Sequence, residues 1–310
     1  VTINTNIRGV ITVDNTADTL NGSINAGGNV TLDTAALIDV NGTVTAVEAL
    51  TVNTTGDVDI DDNLTGDSVT ITGGGGISLA GDVRGTNGDV TVNNALTVDT
   101  VDGTSTVTSE NGNLTFVSTI DAAAAAGANS LNAFADSGTV NFDGIVGTIA
   151  LDSLLVTANV ANVAGNISAD NGVSFAGTEQ INLDAANVEI NADADTNGSG
   201  AIFFATDSIV AGDFDLTLIA GTDITINDAV VNGFTVSDAG APTINLFGTI
   251  SAQAAIDLER HAPCQHVGIA QDAIDIVAER GAGHQGDLPG SALRDAIDAQ
   301  VGVQRDGPAP

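Results

Sequence analysis

A short run of oxygen-bearing side chains is the strongest candidate for chemistry in this chain. Asp193, Asp195 and Asn197, followed by Gly198, match the first half of a calcium-binding loop. Such a loop needs oxygen ligands at alternate positions and a glycine at the sixth. The twelfth position, where a bidentate glutamate belongs, is Phe204. The missing ligand favours an ordinary Asp/Asn/Gly corner over a calcium site, and calcium is the only cofactor that the sequence indicates.

A second acidic group consists of Asp57, Asp59, Asp61 and Asp62. Side chains alternate between the two faces of a strand, so the first three of these residues are expected on one outward edge. A cation would relieve the repulsion between them. A solvated acidic face explains the same pattern without a ligand, and we favour it.

The only histidine–cysteine cluster contains His261, Cys264 and His266. It offers three ligands, whereas structural zinc sites use four. Cys264 with a nearby histidine would also resemble a nucleophile and its base, but no residue is identified that would orient the pair. We therefore assign neither a metal site nor a catalytic role to this cluster.

Charge argues against an enzyme that cleaves acidic polysaccharides. Such enzymes place several carboxylates with lysine or arginine in one groove. Here Arg8 and Arg84 are the only basic residues before position 260. We predict no catalytic residues and a protein that is not an enzyme, while hydrolysis of a neutral glycan stays open as an alternative.

A repeated triplet predicts the strands that position these residues. It consists of an apolar residue, threonine and a second apolar residue. Its copies start 19 to 24 residues apart. They begin at Ile11, Val30, Leu50, Val69, Val90 and Leu114. Such a period is typical of a solenoid. Two further apolar positions and Gly/Asn/Asp turns complete each period, which predicts three short strands per coil. The sequence therefore predicts an all-β parallel β-helix with about 20 residues per coil over 1–255.

The pattern also predicts what faces inward and outward. The central threonine of each triplet is expected to form an outward column, and Val, Ile, Leu and Ala an inward one. After residue 120 the period loosens, and all nine phenylalanines lie at or after position 116. We expect these rings to fill a wider core. An antiparallel sandwich is disfavoured because residue types recur one coil later, not one hairpin later.

Composition excludes several partners. The formal net charge is −34, which repels nucleic acid and anionic lipid. There is no run of 18 apolar residues, so we expect no membrane insertion. A single cysteine permits no intrachain disulfide. Because no polar cap precedes the first strand pattern, we expect the chain to be part of a longer protein.

The segment 256–310 differs from the rest, since it contains four of the six arginines, all three histidines and four of the five prolines. We predict a non-β tail here. It is either disordered or a short helical cap, with candidate helices at 270–279 and 291–299. A reading-frame artefact is a third explanation.

Three runs of residues resemble the repeats of a known class of proteins. The runs GDVTVNN at 88–94, ALTVNT at 49–54 and GNLTF at 112–116 resemble the degenerate repeats of filamentous-haemagglutinin-like exoproteins. Bacterial autotransporter passenger domains are similar. The resemblance covers about residues 1–255. It implies a right-handed β-helix, secretion to the bacterial cell surface, and adhesion or a scaffold role.

From these observations we expect a non-catalytic, extracellular β-solenoid segment of a bacterial surface adhesin that acts as a stiff rod. Its partner would be a surface component or glycan of a host or neighbouring cell. Two alternatives remain at this stage. One is a glycan-active β-helix enzyme, and the other is an S-layer-like or matrix structural protein.

Overall fold

The computed structural model describes residues 5–7, 11–15, 18–100, 103–123, 129–184, 186–238, 244–259 and 277–278. In this part of the chain there are strands and turns but no helix. The strands are parallel and stack as a β-solenoid of about 11 turns with about 21 residues per turn. The predicted all-β parallel β-helix is therefore confirmed.

The strands fall into three consecutive groups along the chain. The first group is β1 (Thr5–Ile7), β2 (Ile11–Asn15), β3 (Asp18–Leu20), β4 (Ile24–Ala26), β5 (Val30–Thr34), β6 (Ile38–Val40), β7 (Val44–Ala46), β8 (Leu50–Thr54), β9 (Asp57–Ile60), β10 (Leu64–Gly66) and β11 (Val69–Gly73). The second group is β12 (Gly76–Leu79), β13 (Val83–Gly85), β14 (Val90–Val92), β15 (Leu96–Val98), β16 (Gly103–Ser109), β17 (Leu114–Phe116), β18 (Ile120–Ala122), β19 (Asn129–Phe142), β20 (Val146–Leu151), β21 (Leu154–Val163) and β22 (Ile167–Ala169). The third group is β23 (Gly172–Phe175), β24 (Gln180–Leu183), β25 (Val188–Asn191), β26 (Ala201–Phe204), β27 (Ile209–Ala211), β28 (Leu216–Ala220), β29 (Ile224–Ile226), β30 (Asp228–Asp238), β31 (Ile244–Leu246), β32 (Ile250–Glu259) and β33 (Val277–Ala278).

Each early coil contains three strands, as the sequence predicts. Strand β5 pairs with β8 of the next coil, β6 with β9, and β4 with β7. Backbone amides bond across the same gap. The amide of Val30 donates to the carbonyl of Ala49 at 2.9 Å, and that of Leu50 to Ser68 at 2.9 Å. Every coil is thus held by a ladder of bonds to the coil above and the coil below.

The loosening of the repeat after residue 120 has a structural cause. Strand β19 runs for 14 residues and replaces two strands of the earlier coils, because it pairs with both β16 and β17. Its pairing with β21 shifts register between Ala135 and Thr139. Strand β30 likewise pairs with both β27 and β28. At one corner of these coils the strand therefore continues through the turn residues, at 136–138 and at 232–233, with a shift in register.

The last coil extends past the predicted boundary at residue 255, since β32 continues to Glu259. Strand β33, Val277–Ala278, pairs with Ser251 and Ala252 of β32. These two residues lie inside the candidate helix at 270–279 and are extended instead. The other residues of both candidate helices lie outside the described part of the chain.

The core is a column of inward side chains, most of them less than 2% exposed. Whereas Phe203 and Phe247 are exposed, five phenylalanines belong to the core, which confirms the predicted role for these five. They are Phe116, Phe142, Phe175, Phe204 and Phe234. The rings of Phe116 and Phe142 stack at 5.6 Å with an interplanar angle of 5°, because strand pairing sets these residues directly above one another. Like residues therefore stack on like along the solenoid axis.

The asparagine–glycine corners work by two different means. Gly22 has a φ of +126°, the left-handed backbone that the sequence predicts at such turns. Gly42, one coil later, is constrained by space, because a Cβ atom there would lie 2.1 Å from the carbonyl oxygen of Gly22. Close stacking of the turns therefore excludes a side chain at Gly42.

The first prediction concerns the stacked rings. Phe142→Ala should lower the free energy of unfolding by about 3–5 kcal/mol, because it leaves a cavity beneath Phe116. Phe247→Ala is the matched control, since Phe247 is 49% exposed. It should change stability by less than about 0.5 kcal/mol. Urea titration followed by far-ultraviolet circular dichroism measures both, and equal losses would contradict the stacked core.

The second prediction concerns the tight corner. Gly42→Ala should cost about 1–3 kcal/mol, because the new methyl group forces two backbone turns apart. The control is Gly103→Ala, where the nearest atom to the added Cβ is the side-chain Cβ of Thr100 at 3.3 Å. Urea denaturation midpoints should show the larger loss at Gly42. A Gly42→Ala protein as stable as the parent would show that the turns are not packed this closely.

Candidate cation site and polar surface columns

The central threonines of the triplets form the outward column that the sequence predicts. Strand pairing aligns Thr31 with Thr51, Thr51 with Thr70, and Thr70 with Thr91. Their side chains are half-buried, between apolar neighbours that point into the core. In the described coils the column thus has single threonines flanked by inward residues, which is not the flat double row that an ice-binding face needs.

The same column continues as asparagines in the later coils. Thr115 aligns with Asn141, Asn141 with Asn162, and Asn162 with Asn182. The side-chain amide of Asn162 donates to Asn141 at 2.7 Å, and that of Asn182 to Asn162 at 2.9 Å. Asn141 in turn donates to the hydroxyl of Thr115 at 3.1 Å. The sequence predicts the threonine part, whereas the amide ladder emerges only from the three-dimensional register.

The acidic group at residues 57–62 lies at one edge of strand β9. Asp57 is exposed and Asp59 is half-buried, on the outward side of the strand as predicted. Asp59 stacks on Asp39 of the preceding coil. Burial raises the pKa of Asp59, the charge of Asp61 raises it further, and Asp39 and Asp99 add smaller contributions. A hydrogen bond from the side chain of Ser78 acts in the opposite direction.

The calcium-like loop follows strand β25. Both carboxylate oxygens of Asp193 accept from the amide of Gly198, at 3.1 and 3.2 Å. The carboxylate of Asp195 accepts from the side chain of Asn197 at 2.6 Å. Thr196 has a φ of +56°, so the backbone reverses sharply between these residues. The three predicted ligands thus lie in one compact turn, with their oxygens hydrogen-bonded inside it.

A neighbouring aspartate is buried beside this turn and was not identified from the sequence. Asp170 directly follows strand β22 and is 3% exposed. Its Oδ2 atom has no hydrogen-bond partner in the described structure. The backbone amide of Asp195 bonds to the carboxylate, which places this group against the predicted loop.

Register explains why carboxylates converge around Asp170. Leu151 pairs with Ala169, which sets Asp152 next to Asp170 on the adjacent coil. Burial raises the pKa of Asp170, and the charges of Asp195, Asp152 and Asp193 raise it further, in that order. The signal in the sequence is an aspartate after the buried end of a strand on successive coils. It is visible only once the coils are aligned.

Positive charge is scarce on the described surface. Arg84 is the one basic residue among the described positions, and it forms an ion pair with Glu110 on the next coil. The Nε atom of Arg84 donates to Glu110 Oε1 at 2.8 Å. No three Asp, Glu, His or Cys side chains within the described ranges form a compact metal-binding group. The predicted cluster of His261, Cys264 and His266 lies outside those ranges.

The third prediction concerns Asp59. Its raised pKa means that the folded chain holds the carboxyl proton more tightly than the unfolded chain, whose aspartate has the ordinary value of 3.8. Ionisation at neutral pH therefore destabilises the fold, and the destabilisation disappears as pH falls through the folded-state pKa. Asp59→Asn should raise the melting temperature at pH 7, and its advantage over the parent should shrink as the pH approaches 4.

The control for this prediction is Asp136→Asn, which removes one charge from an exposed position of strand β19. Thermal melts of the three proteins between pH 4 and pH 7 compare them, and added NaCl should reduce the gain from Asp59→Asn by screening. An equal gain from both substitutions would mean that overall charge, and not the environment of Asp59, sets the effect.

Helices are absent from the described part of the chain, so none there is long and apolar enough to cross a membrane. Comparison with family models, with curated proteins and with solved structures gives no match. Fold and surface chemistry therefore carry the functional conclusion.

Proposed function

We propose that this chain is a non-catalytic, extracellular β-solenoid segment of a bacterial surface adhesin or exoprotein of the filamentous-haemagglutinin-like type. It acts as a stiff rod that holds a binding region away from the cell. The single observation that carries the proposal is the continuous parallel pairing of strands from one coil to the next. Such a fold is quasi-one-dimensional, so its length grows with the number of coils while its cross-section stays constant.

Stiffness follows from two continuous interactions along the axis. Backbone ladders join successive coils on every face, and inward side chains stack in columns beneath them. At the ordinary strand spacing of about 4.8 Å, 11 coils give a rod of roughly 50 Å. A longer chain with further coils would extend it by the same increment. This suits a spacer whose task is mechanical.

The surface supports an extracellular role better than a role on nucleic acid or anionic lipid. The chain carries 40 acidic residues and six basic ones, and both of those partners are negatively charged. The Thr/Asn column offers a contrasting strip of neutral hydrogen-bonding groups. A glycan or a protein surface of a host or neighbouring cell is the class of partner that such a strip fits.

The fourth prediction tests location and adhesion together. Antibodies raised against residues 18–238 should label intact cells of the producing bacterium, and externally added protease should remove the label. Beads coated with the purified chain should attach to host or neighbouring cells more than beads coated with an acidic protein of similar charge. That control removes attachment caused by charge alone.

Other outcomes identify the alternatives. Labelling that appears only after the cells are permeabilised would overturn the extracellular assignment. Release of reducing ends from a panel of neutral polysaccharides would replace the rod with a glycan-active enzyme. Ordered arrays formed by the purified chain on addition of calcium would favour an S-layer-like or matrix protein.

A further inference from the structure

The Asp170 corner contains a buried carboxylate oxygen without a partner. Carboxylates this well buried are ordinarily paired with a cation or fully hydrogen-bonded, because removing the charge from water is costly. Here one oxygen receives the amide of Asp195, and Oδ2 receives nothing in the described structure. The charges that act on it are those of Asp195, Asp152 and Asp193, all of the same sign.

This corner has no positive protein group available to it in the described chain. Arg84, the one basic residue in the described ranges, forms an ion pair with Glu110 and lies several coils away from Asp170. Two neutral side chains that carry oxygen atoms lie beside this corner. Asn171 donates to Asp152 at 2.6 Å, and its own side-chain oxygen accepts from Ser199 at 2.8 Å. The set therefore consists of carboxylate and amide oxygens, which hard cations prefer.

We propose that the Asp170 corner binds a calcium ion between two coils, with the Asp170 carboxylate as its central ligand. Calcium accepts carboxylates, carbonyl oxygens and water in variable numbers, so the site does not require three converging carboxylates. Magnesium demands a near-ideal octahedron, which an irregular turn is poorly suited to supply. Zinc and copper favour imidazole or thiolate, and the described corner contains only oxygen ligands.

A calcium ion at Asp170 would give a new role to the calcium-like loop that begins at Asp193. That loop lacks its twelfth ligand, since Phe204 points into the core and stacks on Phe175 at 5.3 Å. Asp170 comes from the preceding coil and lies against this loop, since the amide of Asp195 bonds to its carboxylate. The ion would be shared between coils, so its effect would be to join them. The site is independent of whether the chain serves as an adhesin.

The fifth prediction tests the site directly. Calorimetric titration of the full chain with CaCl₂ at 150 mM NaCl, about physiological ionic strength, should show one tight site above diffuse binding to the acidic surface. Calcium at about 100 times its Kd should raise the melting temperature by roughly 5–10 °C. Magnesium or NaCl at equal ionic strength should raise it much less.

Two variants locate the effect. Asp170→Asn should lose the tight site and the calcium-dependent rise, and in EDTA it should melt above the parent because it removes a buried charge. Asp207→Asn, an exposed aspartate in the turn before strand β27, removes the same charge and should keep both responses.

The proposal is overturned by any of three results. They are the absence of a tight site in the parent, a calcium response reproduced by NaCl, and an unchanged response in Asp170→Asn. If Asp170→Asn does not fold, Asp195→Asn replaces it, because the charge of Asp195 acts more strongly on Asp170 than that of any other aspartate. A failure here leaves cell-surface labelling unaffected, so the two proposals are tested separately.

Discussion

Parallel register between successive coils is the constraint on which the rest of this structure depends. The chain has one cysteine and no described helix, so neither disulfides nor helix packing can hold it together. Each short strand bonds to equivalent strands one coil before and one coil after. A strand of three residues is unstable alone, but stacked in this way it shares a ladder with the whole solenoid.

The same register determines the surface, because it places each outward residue directly beside one of the next coil. Threonines and asparagines benefit from this arrangement, since their side chains can bond to the next copy, as Asn162 does to Asn141. For aspartates the same alignment is unfavourable, because it brings like charges together. Asp59 above Asp39, and Asp170 beside Asp152, each face a like charge that stacking does not allow them to avoid. Repulsion between like charges in this fold is therefore concentrated at a few stacked positions.

The Asp170 corner shows how a rod can carry a specific site without a cleft. Groups from three successive coils meet there, and the coil spacing fixes their positions more firmly than a flexible loop would. A cation between the coils would convert local repulsion into a link along the axis. The exposed acidic residues elsewhere lack this burial, and water and salt screen them.

Particular residues show what could be predicted and what could not. The triplets at Val30, Leu50 and Val69 predicted strands, period and inward faces correctly, because alternation and repetition are local properties of a chain. The merged strand β19 was missed, since the Asp-Ser-Gly run at 136–138 indicates a turn between two strands, whereas the structure continues the strand through it with a shift in register. The placement of Phe142 in the core was predicted, whereas its parallel stacking on Phe116 required the register.

The sequence by itself determined the repeat, the strand alternation and the acidic surface, because each depends only on residue type and spacing along the chain. The tertiary structure alone decided which side chains share a corner. Asp152, Asp170 and Asp193 are separated by 18 and 23 residues in the chain. They become neighbours because coils of different length still align with one another. That alignment depends on backbone pairing and core packing across coils.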